Sequence, residues 1–133
     1  DFFDDYAHHP TEIKEVMEGV KNVYKGFEKI CIFQPHRISR LKDLKKEFTY
    51  AFKDADTVIL CPIFNAGEKI KLGFNYDSFA REIIKNSKVK LFLVENNIQL
   101  AKFLKQNMYG KKIVIGMGAG SISSWIKELP DLM

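Results

Sequence analysis

The sequence predicts an α/β fold: a Rossmann-like open sheet, mostly parallel, with helices on both faces. Three observations carry this expectation. Short apolar runs rich in β-branched and aromatic residues recur along the chain, as strands buried on both faces require. Stretches with apolar residues at three- and four-residue steps separate them, the mark of helices with one buried face. Strands alternating with helices run parallel and are joined by crossovers.

Taken in order, Pro10, Thr11 and Glu12 put a proline and a capping-type residue ahead of a first helix, with Ile13, Val16, Met17 and Val20 as its apolar stripe. Residues 29–33 form a strand, and Leu41, Leu44, Phe48 and Phe52 mark the next helix. A second strand follows at 57–61, and 70–74 is a candidate for a short, irregular edge strand. Phe79 and Ile83 lie on a third helix with Asp77 as its N-cap. Residues 89–94 form a strand, and Leu100, Leu104 and Met108 a helix. A last strand at 112–115 leads to a closing helix with Ser121 as N-cap and Ile122, Trp125, Ile126 and Leu129 as its stripe.

The length, 133 residues with 46% hydrophobic composition, suits one domain, 1–133, with one core. There is no charge block, short repeat or Ser/Gly/Pro tract. The net charge of +4 is spread along the chain. With no aromatic-basic platform and no helix-turn-helix pattern, it reads as a solvated basic surface, or one that faces phosphates in a cleft, and no nucleic-acid partner is expected. No apolar stretch approaches the roughly 20 residues of a membrane span, so no membrane partner is expected, and no signal peptide is visible. Cys31 and Cys61 sit inside apolar runs, unlike a metal pair or a disulfide framework. They read as buried reduced thiols of a cytoplasmic protein. The chain opens without an initiator Met, which raises the expectation that it is a piece of something longer.

In sheets of this kind ligands bind beyond the carboxyl ends of the strands, which selects the loops 34–40, 62–69, 95–97 and 116–121. Ahead of the first helix stand Asp4, Asp5, Tyr6, His8 and His9. A helix N-terminus attracts anions, and a plain capping turn is the alternative. Adjacent histidines rarely converge on one ion and no further ligand stands at a suitable spacing, so no metal is expected. His36, Arg37 and Arg40 follow directly on a strand. Two guanidiniums three residues apart suit a carboxylate or phosphate bound bidentately. Arginines in a first turn oppose the helix dipole, which hints at a purpose other than stability; an exposed basic helix start is the alternative. Gly118, Ala119 and Gly120 lie between a strand and a helix. They form either a tight turn or a turn whose N–H groups meet a substrate. The last glycine of a dinucleotide fingerprint is missing and the run follows the last strand, so a nicotinamide site is rejected. Asn65, Ala66, Gly67 and Glu68 form a turn by composition. No P-loop and no nucleophile elbow is present. Candidate anion sites without an obvious catalytic base suit a domain that completes a site built mainly elsewhere.

The run 4–12, Asp-Asp-Tyr-Ala-His-His-Pro-Thr-Glu, and the run 33–40, Phe-Gln-Pro-His-Arg-Ile-Ser-Arg, resemble two motifs of the C-terminal domain of Mur ligases. Residues 65–68 and 118–122 follow in the matching order, so the resemblance covers essentially the whole chain. Ile38 departs from the family's usual aromatic residue, and Ser121 from its common Asp or Asn. The resemblance implies a three-domain enzyme. One domain binds a UDP-sugar, and a central one holds ATP and Mg2+. The third, which this chain resembles, closes over both, so the other two domains are its implied partners and the isolated chain would be inactive. Within the family, the Gln-Pro-His-Arg form is similar to the branch that joins L-alanine to UDP-N-acetylmuramate through an acyl phosphate. The alternatives are the branch that attaches a whole peptide to the same nucleotide sugar, and a non-catalytic α/β module that binds an anion or nucleotide. The resemblance implies that Arg37, Arg40 and His8 serve the reaction, and that Tyr6, His9, His36 and the Gly118, Ala119, Gly120 turn also bind substrate. Asp4 or Asp5 would meet the nucleotide.

Overall fold

The computed structural model describes residues 2–5, 9–35, 43–62, 76–107, 109–118 and 122–132, with the backbone alone at 2–5, 123 and 130. Five strands form one sheet: β1 (Phe2–Asp5), β2 (Glu28–Phe33), β3 (Thr57–Leu60), β4 (Lys90–Leu93) and β5 (Lys112–Met117). Their spatial order is β1-β5-β2-β3-β4 and every pairing is parallel. The described helices are α1 (Pro10–Val23), α2 (Lys45–Tyr50), α3 (Tyr76–Ser87), α4 (Asn97–Asn107) and α5 (Ile122–Leu132).

The core lies on both sides of the sheet because side chains alternate along each strand. Cys31 and Phe33 of β2, Val58 and Leu60 of β3, and Ile113, Ile115 and Met117 of β5 face α1, α2 and α3. Ile30, Ile32, Ile59 and Val114 face α4 and α5. Phe33 is fully buried, its ring centre 5.6 Å from that of Phe48 and 5.3 Å from that of Phe52. This is the doubly wound α/β arrangement that the sequence predicts. None of the described helices is long and apolar enough to cross a membrane.

Several details differ from the sequence reading. β1 was not expected, because Phe-Phe-Asp-Asp is short and half acidic. It joins the sheet by backbone pairing to β5, with Asp4 opposite Gly116 and Asp5 opposite Met117. Residues 116 and 117 are therefore strand, and the loop after β5 begins at Gly118. Residues 89–94 were expected to be buried on both faces. β4 instead pairs with β3 alone among the described strands, and Phe92 and Leu93 remain 42% and 49% exposed. Asp77 is not a cap: α3 begins at Tyr76, which puts the carboxylate in the first turn, where it still favours the helix dipole. The candidate strand 70–74, the Ser121 cap and Met108 lie outside the described residues.

The N-cap of α1 is His9. Its Nδ1 accepts from the Thr11 N–H at 3.2 Å, and its own N–H donates to Glu12 Oε1 at 3.2 Å. This is a capping box with imidazole in place of a hydroxyl, and Pro10 follows where no N–H is needed. Across the α2–α3 contact, the buried Ser87 hydroxyl donates to the Thr49 carbonyl at 2.6 Å and accepts from the Phe52 N–H at 3.2 Å. Removing it strands two buried backbone groups. Ser87→Ala should cost about 1–3 kcal/mol in a urea unfolding titration of the purified protein.

Candidate substrate site at the carboxyl edge of the sheet

The strand order reverses between β2 and β5. The chain leaves β2 toward β3 and β4, then returns to place β5 on the other side of β2. The crevice beyond the carboxyl ends of two such strands is where open α/β sheets bind ligands. Gln34 stands there. Its N–H donates to the Met117 carbonyl at 3.0 Å, extending the β2–β5 ladder by one bond. Its side chain is 3% exposed. Nε2 donates to the Pro62 carbonyl at 3.3 Å, and Oε1 accepts from the Ile122 N–H at 2.9 Å. Ile122 is the first residue of α5, so its N–H has no acceptor within the helix. One neutral amide thus ties together the exits of β2 and β3 and the start of α5.

Two further residues tighten this edge. Gly118 has φ +148°, and a Cβ there would lie 2.8 Å from the Gln34 carbonyl oxygen and 3.0 Å from Ile122 Cγ2. Close packing and backbone conformation therefore explain the first glycine of the 118–120 turn. The Tyr76 hydroxyl donates to the Cys61 carbonyl. Burial first, and neighbouring Cys61 second, hold its phenol well above the ordinary value. The consecutive carbonyls of Cys61 and Pro62 are thus held by side chains from two different elements.

The sequence-predicted residues fall into two groups. Asp4 and Asp5 close β1, His9 caps α1, and Gly118 follows β5, so these four lie along the same carboxyl edge, around the end of β5. With His9 Nδ1 accepting a hydrogen bond, Nε2 is left to carry the proton. Tyr6, His8, His36, Arg37, Arg40, Ala119, Gly120 and the 65–68 turn lie outside the described residues. The loop 95–97 is occupied with capping: Asn96 Oδ1 accepts from the Gln99 N–H, and Gln99 Oε1 from the Glu95 N–H, both at 2.8 Å. Gln34 and Tyr76 were not among the predicted site residues. A polar residue wedged between a buried strand and a proline was the available signal for Gln34; Tyr76 gave none. Beside the α1 N-terminus lies an open groove of about 430 Å³, lined by Thr11, Lys14, Lys46, Glu47, Tyr50 and Lys53 among others. Lysines outnumber carboxylates there, which gives this flank a positive charge.

Residues 1–120 match the family described as "Mur ligase, glutamate ligase domain". The chain belongs to this family. It is 69% identical over 132 residues to the UDP-N-acetylmuramate–L-alanine ligase of Pelagibacter ubique (strain HTCC1062), covering 99% of this chain and 28% of that one. The chain spans little more than a quarter of the length of the curated relatives it matches. The UDP-N-acetylmuramate-alanine ligase MurC of Thermotoga maritima superposes with a TM-score of 0.68 at 24% identity, over 98% of this chain and 26% of that one. A murein peptide ligase of Psychrobacter arcticus 273-4 gives 0.75 at 16% identity, over 98% and 27%. At these identities the likeness shows the Mur ligase fold.

Both cysteines are buried free thiols. Burial pushes Cys61 up to about 12, and burial together with nearby Cys61 pushes Cys31 further above its ordinary value. A thiol raised in the folded state leaves stability untouched below pH 9, where both states are protonated. Above that the unfolded chain ionises first and stability falls. At pH 8 neither cysteine of the folded protein should react with an aromatic disulfide reagent, whereas both should react at once in denaturant. Gly118→Ala should destabilise the protein by roughly 1–3 kcal/mol in thermal unfolding, since the contact it meets is backbone and its φ is positive.

Proposed function

We propose that this chain is the amino-acid-binding, cleft-closing domain of an ATP-dependent ligase that joins L-alanine to UDP-N-acetylmuramate. The 69% identity to the Pelagibacter ubique enzyme of that name, across 99% of this chain, carries the reading. The other two domains of the same enzyme are its partners. One binds the UDP-sugar, and the central one holds ATP and Mg2+. Two buried reduced thiols fit work in the cytoplasm.

The reaction takes the γ-phosphoryl group of ATP onto the muramate carboxylate, releasing ADP. The amine of L-alanine then attacks the acyl carbon, and the tetrahedral intermediate expels phosphate as the amide forms and the amine loses a proton. Negative charge gathers on phosphate and carbonyl oxygens, and fixed cations stabilise it. Arg37 and Arg40 hold the L-alanine carboxylate or steady the acyl phosphate. His8 and Tyr6 line a small amino-acid pocket, with His36, His9 and the N–H groups of Gly118, Ala119 and Gly120 beside it. Asp4 or Asp5 meets the nucleotide ribose. Gln34 precedes Arg37 by three residues and Arg40 by six at the switch point, and the ends of β1 and β5 adjoin it.

Transfer of a whole peptide to the same nucleotide sugar, the other branch that the family resemblance offers, is the second reading. ADP release by the full-length gene product separates the two, with ATP, magnesium and UDP-N-acetylmuramate present and L-alanine, glycine, L-serine or a murein tripeptide as acceptor. Turnover should be strongest with L-alanine. Turnover with the tripeptide alone assigns the peptide branch, and none with any acceptor leaves a non-catalytic anion-binding module. Arg37→Ala and Arg40→Ala should each raise KM for L-alanine or cut turnover by about tenfold or more. Wild-type kinetics in both variants would remove them from the mechanism.

A further inference from the structure

We infer that Gln34 is a positioning residue for the ligase site: its buried amide sets the relative placement of the chain segments that leave β2, β3 and β5. The kinetic consequence rests on the ligase reading above; the structural one rests on geometry alone.

Gln34 reaches Pro62, 28 residues away, and Ile122, 88 residues away, with the two ends of one amide. The ends act in opposite senses, one donating and one accepting, so the amide has a single workable orientation. Turned over, it would set NH2 against the Ile122 N–H and C=O against the Pro62 carbonyl, and two buried backbone groups would lose their partner. The backbone of Gln34 is held as well. Its N–H is bonded to Met117, and its carbonyl packs where any side chain at position 118 would stand. Both main chain and side chain are thus fixed at 3% exposure.

The next residue, Pro35, has a locked φ, and Arg37 and Arg40 follow it two and five residues later. At its other end, the amide anchors the first N–H of α5, four residues after Gly118. The proposed substrate-binding residues Arg37, Arg40 and Gly118 thus stand within six residues in sequence of Gln34 or of a group that its amide holds, and the amide itself touches neither ATP nor the UDP-sugar in this scheme. No other single side chain reproduces this. Asn is a methylene too short to span both partners. Glu keeps an acceptor for Ile122 but sets a second oxygen against the Pro62 carbonyl. Met keeps the shape and loses both bonds.

The test uses the full-length enzyme with Gln34→Met and Gln34→Glu, after a circular-dichroism melt shows each variant folded. The KM values for L-alanine, ATP and UDP-N-acetylmuramate are measured separately, and amide hydrogen exchange is followed at Ile122. Misplaced binding groups should raise KM for L-alanine by about tenfold or more in Gln34→Met, with the other two KM values within about twofold of wild type. The Ile122 amide should exchange about tenfold faster or more in Gln34→Met and stay protected in Gln34→Glu, which retains its acceptor. A purely structural role would lower the active fraction and leave every KM unchanged, and that result overturns the proposal. So does an unchanged Ile122 amide in Gln34→Met. Should Gln34→Met not fold, Gln34→Glu carries the test through a raised KM for L-alanine alone. If the wild-type enzyme does not use L-alanine, the ligase reading fails by itself, and exchange at Ile122 decides whether Gln34 organises the edge.

Discussion

Six consecutive residue pairs, from Glu28 opposite Lys112 to Phe33 opposite Met117, hold β5 against β2. The rest of the architecture follows from that pairing. It puts the last described strand inside the sheet, between β1 and β2, and α1, α2 and α3 cover one face while α4 and α5 cover the other. It also makes the reversal of strand order that opens a crevice at the carboxyl ends. Gln34 and Gly118 stand one residue beyond the two strands that define this crevice. Their close packing is the β2–β5 ladder continued into the loops.

The two ends of the sheet are held by different chemistry. At the amino edge, Lys112 pairs with Glu28 at 2.9 Å and Lys29 with Asp56 at 3.4 Å. Where β2 and β3 end at the carboxyl edge, the fastening is neutral: the amide of Gln34 and the phenol of Tyr76 hold backbone groups. A buried charge there would need its own partner and would compete with any charged ligand. Neutral fastening leaves the charge of the site to the groups that meet substrate.

How much of this could be read from the sequence depends on what each residue's role is referred to. β2, β3 and β5 were legible because their side chains are apolar on both faces. β1 was not, because its place depends on backbone pairing to a strand more than a hundred residues later. β4 was found as a strand, yet periodicity reports hydrophobicity and not neighbours, so the exposure of Phe92 and Leu93 was invisible. The first helix start was found, but its cap is an imidazole, a residue type that cap preferences do not favour. The motifs located the edge where Asp4, Asp5, His9 and Gly118 gather. They did not reveal that Gln34 and Tyr76 fasten it, because their partners are distant and are backbone atoms, which leave no trace in residue types.

β1 is hydrogen-bonded to the sheet through β5 and no other described strand. During biosynthesis β2, β3 and β4 can pair as they emerge, in the order in which they are made. Of the described strands β1 is made before the others, yet it must wait until residues 112–117 have been translated and have docked beside β2. Pairings this far apart in sequence form late, because loop closure must precede the contacts that reward it. The acidic pair at the end of β1 is therefore made before the other described strands and reaches its place after them, so this part of the carboxyl edge is assembled only once β5 has docked.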